Sequence, residues 1–220
     1  MSDDGRMSIS IVLFDLDDTL TDVATFGPSV LVAAAARHGR HLSIEEIQAS
    51  PGARYEPLAA RLLHLEPPEA AAIYATYVEL YRQMMADGLR AHCGALELLR
   101  ALADREVKVG LVTNKLEALA REIVECLGWT ALIGVIVGHD SSPFRKPDPA
   151  VVRYAIEILG GTSETTAFVG DSVDDMAAAA GAEVAMIVGM LVTTPGERLV
   201  EAGAMCLCSD LAEVLAIVNT

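Results

Sequence analysis

Four aspartates stand where two apolar runs of the sequence end. Asp15 and Asp17 follow the run ISIVLF, and Asp171 and Asp175 lie in GDSVDD after the run TTAFV. Carboxylates gathered at strand ends repel one another, and a hard divalent cation such as Mg²⁺, which prefers oxygen ligands, offsets that repulsion. The pattern therefore predicts a metal site. Asp174 is expected only to complement the positive end of a helix.

Two further strand ends offer groups suited to a phosphoryl group. The run VKVGLVT leads into Thr113, Asn114 and Lys115, which provide a hydroxyl, an amide and backbone N–H groups at a predicted helix N-terminus. Phosphate binds well at such a terminus. Lys146 precedes Pro147, which favours an extended backbone, and with the aspartates it is a candidate counter-charge. Together these residues predict a site for a phosphorylated ligand.

The elements that must position these residues alternate between strand and helix. Val/Ile-rich runs predict the strands ISIVLF, VKVGLVT, LIGVIVG, TTAFVG, VAMIVG and AMCLC, and helical patterns separate the last five. This alternation predicts an α/β core with a Rossmann-like, doubly wound parallel sheet covered by helices on both faces. Ligands bind at the carboxyl ends of such strands, where the aspartates lie.

The alternation stops between residues 23 and 90, where apolar residues recur at helical spacing. We therefore predict an all-helical cap at 23–90, inserted into a core formed by 7–22 and 91–220. The insert is near neutral and leaves most of the acidic charge on the core, so it is suited to closing on an anion. Arg54, in the Pro/Gly turn SPGARYEP, is expected either to bind the non-phosphate end of a substrate or to be an exposed turn residue.

Composition excludes several classes of function. The chain has 220 residues, of which 52% are hydrophobic, and 31 acidic against 16 basic residues give a net charge of −15. An acidic surface repels nucleic acid and anionic membranes, so we expect neither as a partner. No apolar run approaches the ~18 residues of a spanning helix, and we expect a soluble, cytoplasmic protein. The four cysteines are too few and too irregularly spaced for a disulfide framework or a four-ligand zinc site.

The motifs DLDDTL, LVTN, KP and GDSVDD, in this order and each at a predicted strand end, resemble those of the haloacid dehalogenase superfamily of phosphatases. The similarity spans nearly the whole chain. The insert resembles that family's small helical cap, and within the family the chain looks like the phosphoglycolate phosphatase-like hydrolases. The resemblance implies that Asp15 attacks the phosphoryl group of a small phosphorylated metabolite to form an aspartyl phosphate. Asp17 would protonate the leaving alkoxide and later accept a proton from water.

The resemblance also implies a ligand set. Mg²⁺ would be held by the Asp15 carboxylate, the Asp17 backbone carbonyl and Asp171, with Asp175 in support. The groups that would contact the phosphoryl oxygens or neutralise their charge are Thr113, Asn114 and Lys146. The Ala-rich stretch after Asp175 is shorter than is usual in the family, and this leaves the orientation of Asp175 open.

Other reactions of the superfamily fit the sequence less well. Dehalogenases lack an acidic residue two positions after the nucleophile, so Asp17 favours phosphoryl chemistry. Phosphonatases use a cap lysine, whereas the lysines of this chain, Lys108, Lys115 and Lys146, lie outside the insert. A sugar-phosphate mutase of the β-phosphoglucomutase type shares all four motifs and stays an alternative. A non-catalytic phosphate-binding protein on the same fold is the other.

Overall fold

A computed structural model of the protein describes residues 9–49 and 55–218. Contacts between residues divide the chain into two compact units. The first, called here the sheet unit, combines the chain up to Thr21 with the chain from Ala91 onward. The second, called here the helical insert, spans Asp22–Arg90.

Eight strands and ten α-helices are assigned within the described residues. The strands are β1 Ile11–Phe14, β2 Thr21–Asp22, β3 Arg90–Ala91, β4 Lys108–Val112, β5 Val135–Val137, β6 Thr166–Gly170, β7 Met186–Met190 and β8 Cys206–Cys208. The helices are α1 Phe26–Arg37, α2 Ile44–Gln48, α3 Tyr55–Leu63, α4 Pro67–Gly88, α5 Ala95–Ala103, α6 Glu117–Cys126, α7 Pro149–Leu159, α8 Val173–Gly181, α9 Gly196–Glu201 and α10 Leu211–Val218.

The sheet unit is built on a six-stranded parallel sheet in the order β5-β4-β1-β6-β7-β8. The order reverses at β1, because the chain adds β4 and β5 on one side and then returns to add β6, β7 and β8 on the other. This is the doubly wound arrangement, and it confirms the predicted fold class. A crevice forms where the order reverses, at the carboxyl ends of the strands.

Strands at the centre of the sheet are apolar because both of their faces are covered. All four residues of β1 and all five of β6 are buried. Ile11 and Leu13 of β1 and Phe168 of β6 join the buried side chains of α7 and α8 in one cluster. Side chains alternate along a strand, so Val12 and Phe14 face the opposite side.

The helical insert packs around aromatic rings. Tyr77, fully buried in α4, has its ring centroid 4.9 Å from that of Tyr55 and 5.7 Å from those of Tyr74 and Tyr81. Phe26 of α1 lies edge-on to Tyr81 at 4.8 Å. Ring pairs at these separations add to the stability that burial provides. Within 23–49 and 55–89, the described elements between β2 and β3 are all helices, as the apolar spacing predicts.

One strand is shorter than its apolar run suggests. The sequence predicts a strand over 132–138, but β5 covers only Val135–Val137. The N–H of Leu132 donates to the Trp129 carbonyl (2.8 Å), which places Leu132 in the turn after α6. The other predicted strands are found within a few residues of their expected ends, and helices separate the last five strands as predicted. Among the described helices, none combines the length and the apolar character that a membrane span requires.

Candidate active site

The chain turns sharply after β1, and the turn carries the two predicted site residues Asp15 and Asp17. The Leu16 carbonyl accepts hydrogen bonds from both the N–H and the hydroxyl of Thr21, each at 3.0 Å. Asp18 adopts the left-handed region with φ 58° and donates its N–H to the Thr21 carbonyl (2.7 Å). Asp15 itself stays tied to the sheet, since its N–H donates to the Val169 carbonyl of β6 (2.9 Å).

Lys146 bridges the two acidic segments. Its ammonium lies 2.6 Å from a carboxylate oxygen of Asp15 and 2.6 Å from one of Asp175, and all three side chains are buried. Burial alone would lower the pKa of Lys146, but these two carboxylates outweigh burial and raise it. The lysine is therefore charged at neutral pH, as a counter-charge must be. It reaches the site from the loop before α7, through a cis peptide bond to Pro147.

Three carboxylates converge around this lysine. Oxygens of Asp15, Asp171 and Asp175 all lie within 4.8 Å of one another. Burial, together with the neighbouring carboxylates, raises the pKa of Asp15 to about 8 and that of Asp171 to about 7, although Lys146 opposes both shifts. When all three carboxylates are ionised, the cluster carries more negative charge than one lysine offsets, which is why the pKa values of Asp15 and Asp171 are raised. An all-oxygen donor set with excess negative charge is one that Mg²⁺ fits.

Both carboxylate oxygens of Asp175 already have protein partners. One accepts from Lys146, and the other accepts from the N–H and the hydroxyl of Ser172. Ser172 and Asp175 form a capping box that starts α8, and this fixes the orientation that the sequence left open. A Cβ on Gly170 would lie 2.6 Å from Cβ and Cγ of Asp175, so this close approach requires glycine.

The end of β4 brings Thr113 and Asn114 to the same edge. Thr113 is buried, and its hydroxyl accepts the N–H of Lys115 (3.2 Å). The Asn114 side-chain amide donates to the backbone carbonyl of Lys146 (3.4 Å) and so contacts the loop that presents the lysine. The Oδ1 atoms of Asn114 and Asp17 are buried, and among the described residues neither has a hydrogen-bond partner.

Two contacts at the site were not predicted. The Lys115 ammonium lies 2.9 Å from a carboxylate oxygen of Asp17, and the lysine side chain is only 5% exposed. The sequence places Lys115 in the motif LVTNK, but its backbone and not its ammonium was expected to matter. Thr193, in the loop after β7, donates its hydroxyl to Asp171. No motif singles out Thr193, since it follows Asp171 by 22 residues in an ordinary loop.

Arg54 lies outside the described residues. The other predicted site residues all belong to the sheet unit. They lie just beyond β1 (Asp15, Asp17), β4 (Thr113, Asn114) and β6 (Asp171), in the first turn of α8 (Asp175) and in the loop before α7 (Lys146). Fold and site together define a doubly wound α/β protein with a carboxylate and lysine cluster at the strand ends. That arrangement can bind a metal ion and an anion side by side.

The profile of the haloacid dehalogenase-like hydrolases matches residues 9–183. The chain belongs to this family, and the predicted family is confirmed.

Two curated relatives that the sequence resembles are named as phosphatases. A phosphoglycolate phosphatase of Agrobacterium fabrum is 32% identical over 183 residues, which cover 80% of this chain and 78% of the relative. An N-acetylmuramic acid 6-phosphate phosphatase of Pseudomonas aeruginosa is 33% identical over 175 residues, covering 78% of this chain and 77% of the relative. The two relatives are about equally similar to the chain and are named for different substrates.

A solved structure shows the same fold over nearly the full length. A protein of Haemophilus somnus, described as a predicted phosphoglycolate phosphatase, superposes with a TM-score of 0.86 at 22% identity. The match covers 97% of this chain and 99% of that protein. At this identity the likeness concerns the fold alone.

Proposed function

We propose that the protein is a Mg²⁺-dependent phosphatase that hydrolyses a small phosphomonoester through an aspartyl phosphate on Asp15. Family membership and the phosphatase relatives make it a phosphoric monoester hydrolase. The observation that supports the proposed mechanism best is the cluster of Asp15, Asp171 and Asp175 around Lys146 at the strand ends.

Asp15 would act as the nucleophile. One of its carboxylate oxygens attacks phosphorus, and the bond from phosphorus to the substrate's alcohol oxygen breaks. Lys146, 2.6 Å from Asp15, would offset charge on the nucleophile and on the transferring phosphoryl group. The Thr113 hydroxyl and groups of Asn114 would hold the phosphoryl oxygens at the end of β4.

Asp17 would exchange protons with the leaving group and with water. In the first step it gives a proton to the departing alkoxide, and in the second step its carboxylate takes a proton from the water that attacks the aspartyl phosphate. The second step breaks the bond between phosphorus and Asp15 and releases inorganic phosphate. Asp17 is suited to this work because one of its carboxylate oxygens, Oδ1, has no hydrogen-bond partner among the described residues.

The residues present fit a bound Mg²⁺. Asp15, Asp171 and the backbone carbonyl of Asp17 would hold the ion. Asp175 would support it indirectly, because its two oxygens are bonded to Lys146 and Ser172. When bound, the ion supplies Lewis-acid stabilisation of phosphoryl charge.

We propose a phosphoglycolate-like substrate, meaning a small phosphate ester whose other end is polar or anionic. The names of the relatives favour this class, but their different substrates do not select one compound. Arg54 stays our predicted contact for the non-phosphate end. We also propose that the protein works in the cytoplasm, like other enzymes of small phosphorylated metabolites.

A panel of phosphate esters tests the function. Purified protein with Mg²⁺ is supplied with phosphoglycolate, N-acetylmuramic acid 6-phosphate, hexose phosphates, nucleoside monophosphates and p-nitrophenyl phosphate, and inorganic phosphate is measured. We expect Mg²⁺-dependent release that EDTA abolishes and that differs in kcat/KM among the esters.

Two results would contradict the proposal. Conversion of a hexose 1-phosphate into a hexose 6-phosphate without phosphate release would identify a mutase instead. Binding of the esters without any turnover would identify a non-catalytic phosphate-binding protein.

A further inference from the structure

We propose that Lys115 is a positioning residue that acts on the reaction through Asp17. The inference rests on the proposed function, since Asp17 is the proton-transfer group of that mechanism. It is carried by one contact, the 2.9 Å ion pair between the Lys115 ammonium and the Asp17 carboxylate at the edge of the sheet.

The fold holds Lys115 more firmly than a surface lysine. It follows β4 by three residues, its side chain is 5% exposed, and its N–H donates to the Thr113 hydroxyl (3.2 Å). A buried ammonium needs a nearby negative group, because loss of hydration is otherwise costly. The ion pair with Asp17 supplies that group, and so Lys115 is fixed in place by the same contact through which it orients Asp17.

The side chain of Asp17 requires a partner that fixes its orientation. Asp17 follows Asp15 by two residues, and its side chain is 30% exposed, so packing alone does not determine one side-chain conformation. A proton-transfer group must lie within hydrogen-bonding distance of the atom it serves, and a displacement of about 1 Å can reduce the rate roughly 100-fold. The ion pair restricts one carboxylate oxygen of Asp17 and leaves the other, Oδ1, without a partner among the described residues.

The two lysines at the site, Lys115 and Lys146, therefore contact different aspartates and are proposed to serve different steps. Lys146 bonds to Asp15 and Asp175, the nucleophile and the residue that supports it. Lys115 bonds to Asp17, which serves the leaving group and the water. The ion pair holds one carboxylate oxygen of Asp17 and leaves the other, Oδ1, for the water that attacks the aspartyl phosphate, a step that needs Asp17 whatever the leaving group. Loss of Lys115 should therefore slow that step most clearly.

The test is a double-mutant cycle with Lys115→Met and Asp17→Asn. Methionine keeps the length of the lysine side chain and removes its charge. With p-nitrophenyl phosphate, whose phenolate leaves without protonation, we expect Lys115→Met to keep the rate of the initial p-nitrophenolate burst within about threefold. Steady-state turnover should fall about 10- to 100-fold because the aspartyl phosphate accumulates. In the Asp17→Asn background the same substitution should change turnover by less than about threefold.

Two control variants test whether the effect comes from the charge of Lys115 and its ion pair with Asp17. Lys115→Arg keeps the charge and should restore a substantial part of steady-state turnover. Lys108→Met removes the lysine at the other end of β4, whose ammonium bonds to the Leu159 carbonyl (2.6 Å), and it should leave burst and turnover unchanged. Urea unfolding of each variant, followed by circular dichroism, checks that the fold is retained. The midpoint shifts of the cycle should also be non-additive if the pair is in contact.

Several outcomes would overturn the role of Lys115. An equal loss of burst and turnover, or a rise in KM that persists in the Asp17→Asn background, would make Lys115 a direct phosphate-binding residue. Full activity of the Lys115→Met variant would show that Lys115 has no role in the reaction. Additive midpoint shifts would show that the pair is not formed. By contrast, a wild-type protein that hydrolyses no phosphomonoester with Mg²⁺ would overturn the proposed function itself, and the role of Lys115 in it.

Discussion

Asp15 is buried beside a lysine, and yet its pKa is raised to about 8. Burial is the main cause, and the carboxylates of Asp175 and Asp171 add to it. The ionised form of Asp15, the proposed nucleophile, is therefore unfavourable in the folded protein unless a cation besides Lys146 is bound. A strongly shifted pKa at a buried group of this kind is common at active sites, which agrees with the proposed role of Asp15.

Asp15→Asn should abolish turnover without weakening the fold. An amide neither attacks phosphorus nor binds Mg²⁺ as a carboxylate does, so hydrolysis of p-nitrophenyl phosphate should fall at least about 1,000-fold. Because the buried charge is removed, the urea midpoint at pH 8 without metal should be equal to or higher than that of wild type. Asp174→Asn is the matched control and should keep activity within about twofold. A residual rate above a trace, or a lower midpoint, would count against Asp15 as the nucleophile.

The raised pKa values of Asp15 and Asp171 predict how stability depends on pH. In the unfolded chain both groups ionise near their ordinary value of 3.8, whereas in the folded protein they do so near 8 and 7. Between these limits the folded state binds more protons, so metal-free stability should fall as pH rises from about 5 to 8. The proposed Mg²⁺ would bind the ionised carboxylates, so the increase in Tm on adding Mg²⁺ should be larger at pH 8 than at pH 6.

Thermal melting at pH 6, 7 and 8, with EDTA or with Mg²⁺, measures both effects. Asp171→Asn should reduce both the pH dependence of the metal-free Tm and its rise with Mg²⁺. A metal-free Tm that stays level or increases with pH would contradict the charge balance of the cluster.

Thr193 should tune the affinity for Mg²⁺. Its hydroxyl donates to Asp171 and orients that carboxylate. Loss of such a supporting hydrogen bond typically weakens metal binding 10- to 100-fold, and we expect this range for Thr193→Val in calorimetric titrations with Mg²⁺. Thr193→Ser should keep the wild-type affinity, and Thr194→Val is the neighbouring control. Equal Mg²⁺ affinities of the Thr193→Val and Thr194→Val variants would show that the Thr193–Asp171 hydrogen bond does not affect metal binding.

Contacts at the residue scale were only partly predictable from sequence. Asp15, Asp171 and Lys146 could be singled out because their motifs follow apolar runs whose ends meet in a parallel sheet. The pairing of Lys115 with Asp17 could not, since it depends on side-chain directions at the ends of β1 and β4. Thr193 reaches Asp171 through a loop whose path no local pattern determines.

At the scale of elements, the junction of β6 and α8 determines the geometry of the site. β6 ends at Gly170, Asp171 follows, and the capping box of Ser172 and Asp175 starts α8 at once. The apolar run and the Asp-rich helix start were both readable in the sequence. The shortness of β5 was not, because the residues before Val135 are apolar and yet lie in a turn.

Gly170→Ala should damage the site by displacing Asp175. The added Cβ would lie 2.6 Å from Cβ and Cγ of Asp175, so that side chain must move away from Lys146. We expect at least a tenfold loss of turnover together with a lower Tm.

Gly189→Ala is the matched control for this prediction. Gly189 is the register partner of Gly170 on β7, and a Cβ there meets side chains of Leu207, Leu199 and Ala204. This substitution should lower Tm but keep kcat. A similar fall in kcat for both variants would attribute the effect to general destabilisation.

At the scale of the whole molecule, each of the described candidate residues belongs to the sheet unit. The unit has its own buried core, centred on β1 and β6. Metal binding should thus depend on this unit, whereas selection among phosphate esters is the proposed task of the insert.

Excision of residues 23–89, with a short Gly/Ser linker joining β2 to β3, should leave a cooperatively folded sheet unit. Its Tm should still rise on adding Mg²⁺, because Asp15, Asp171 and Asp175 are retained. The kcat/KM values for different phosphate esters should become similar. Circular dichroism melting and the ester panel measure these effects. Loss of the cooperative transition would show that the sheet unit needs the insert to fold.

The reversal of strand order at β1 also bears on how the protein is synthesised. Lys146 lies 131 residues after Asp15, and at about 5–20 residues per second the ribosome takes roughly 7 to 26 s to add those residues. The second neighbour of β1, strand β6, is made later still. During that interval the nascent chain has Asp15, the proposed nucleophile, but lacks the lysine and the remaining carboxylates that surround it in the folded protein. On the proposed mechanism the chain therefore becomes able to react only late, when translation has passed α8.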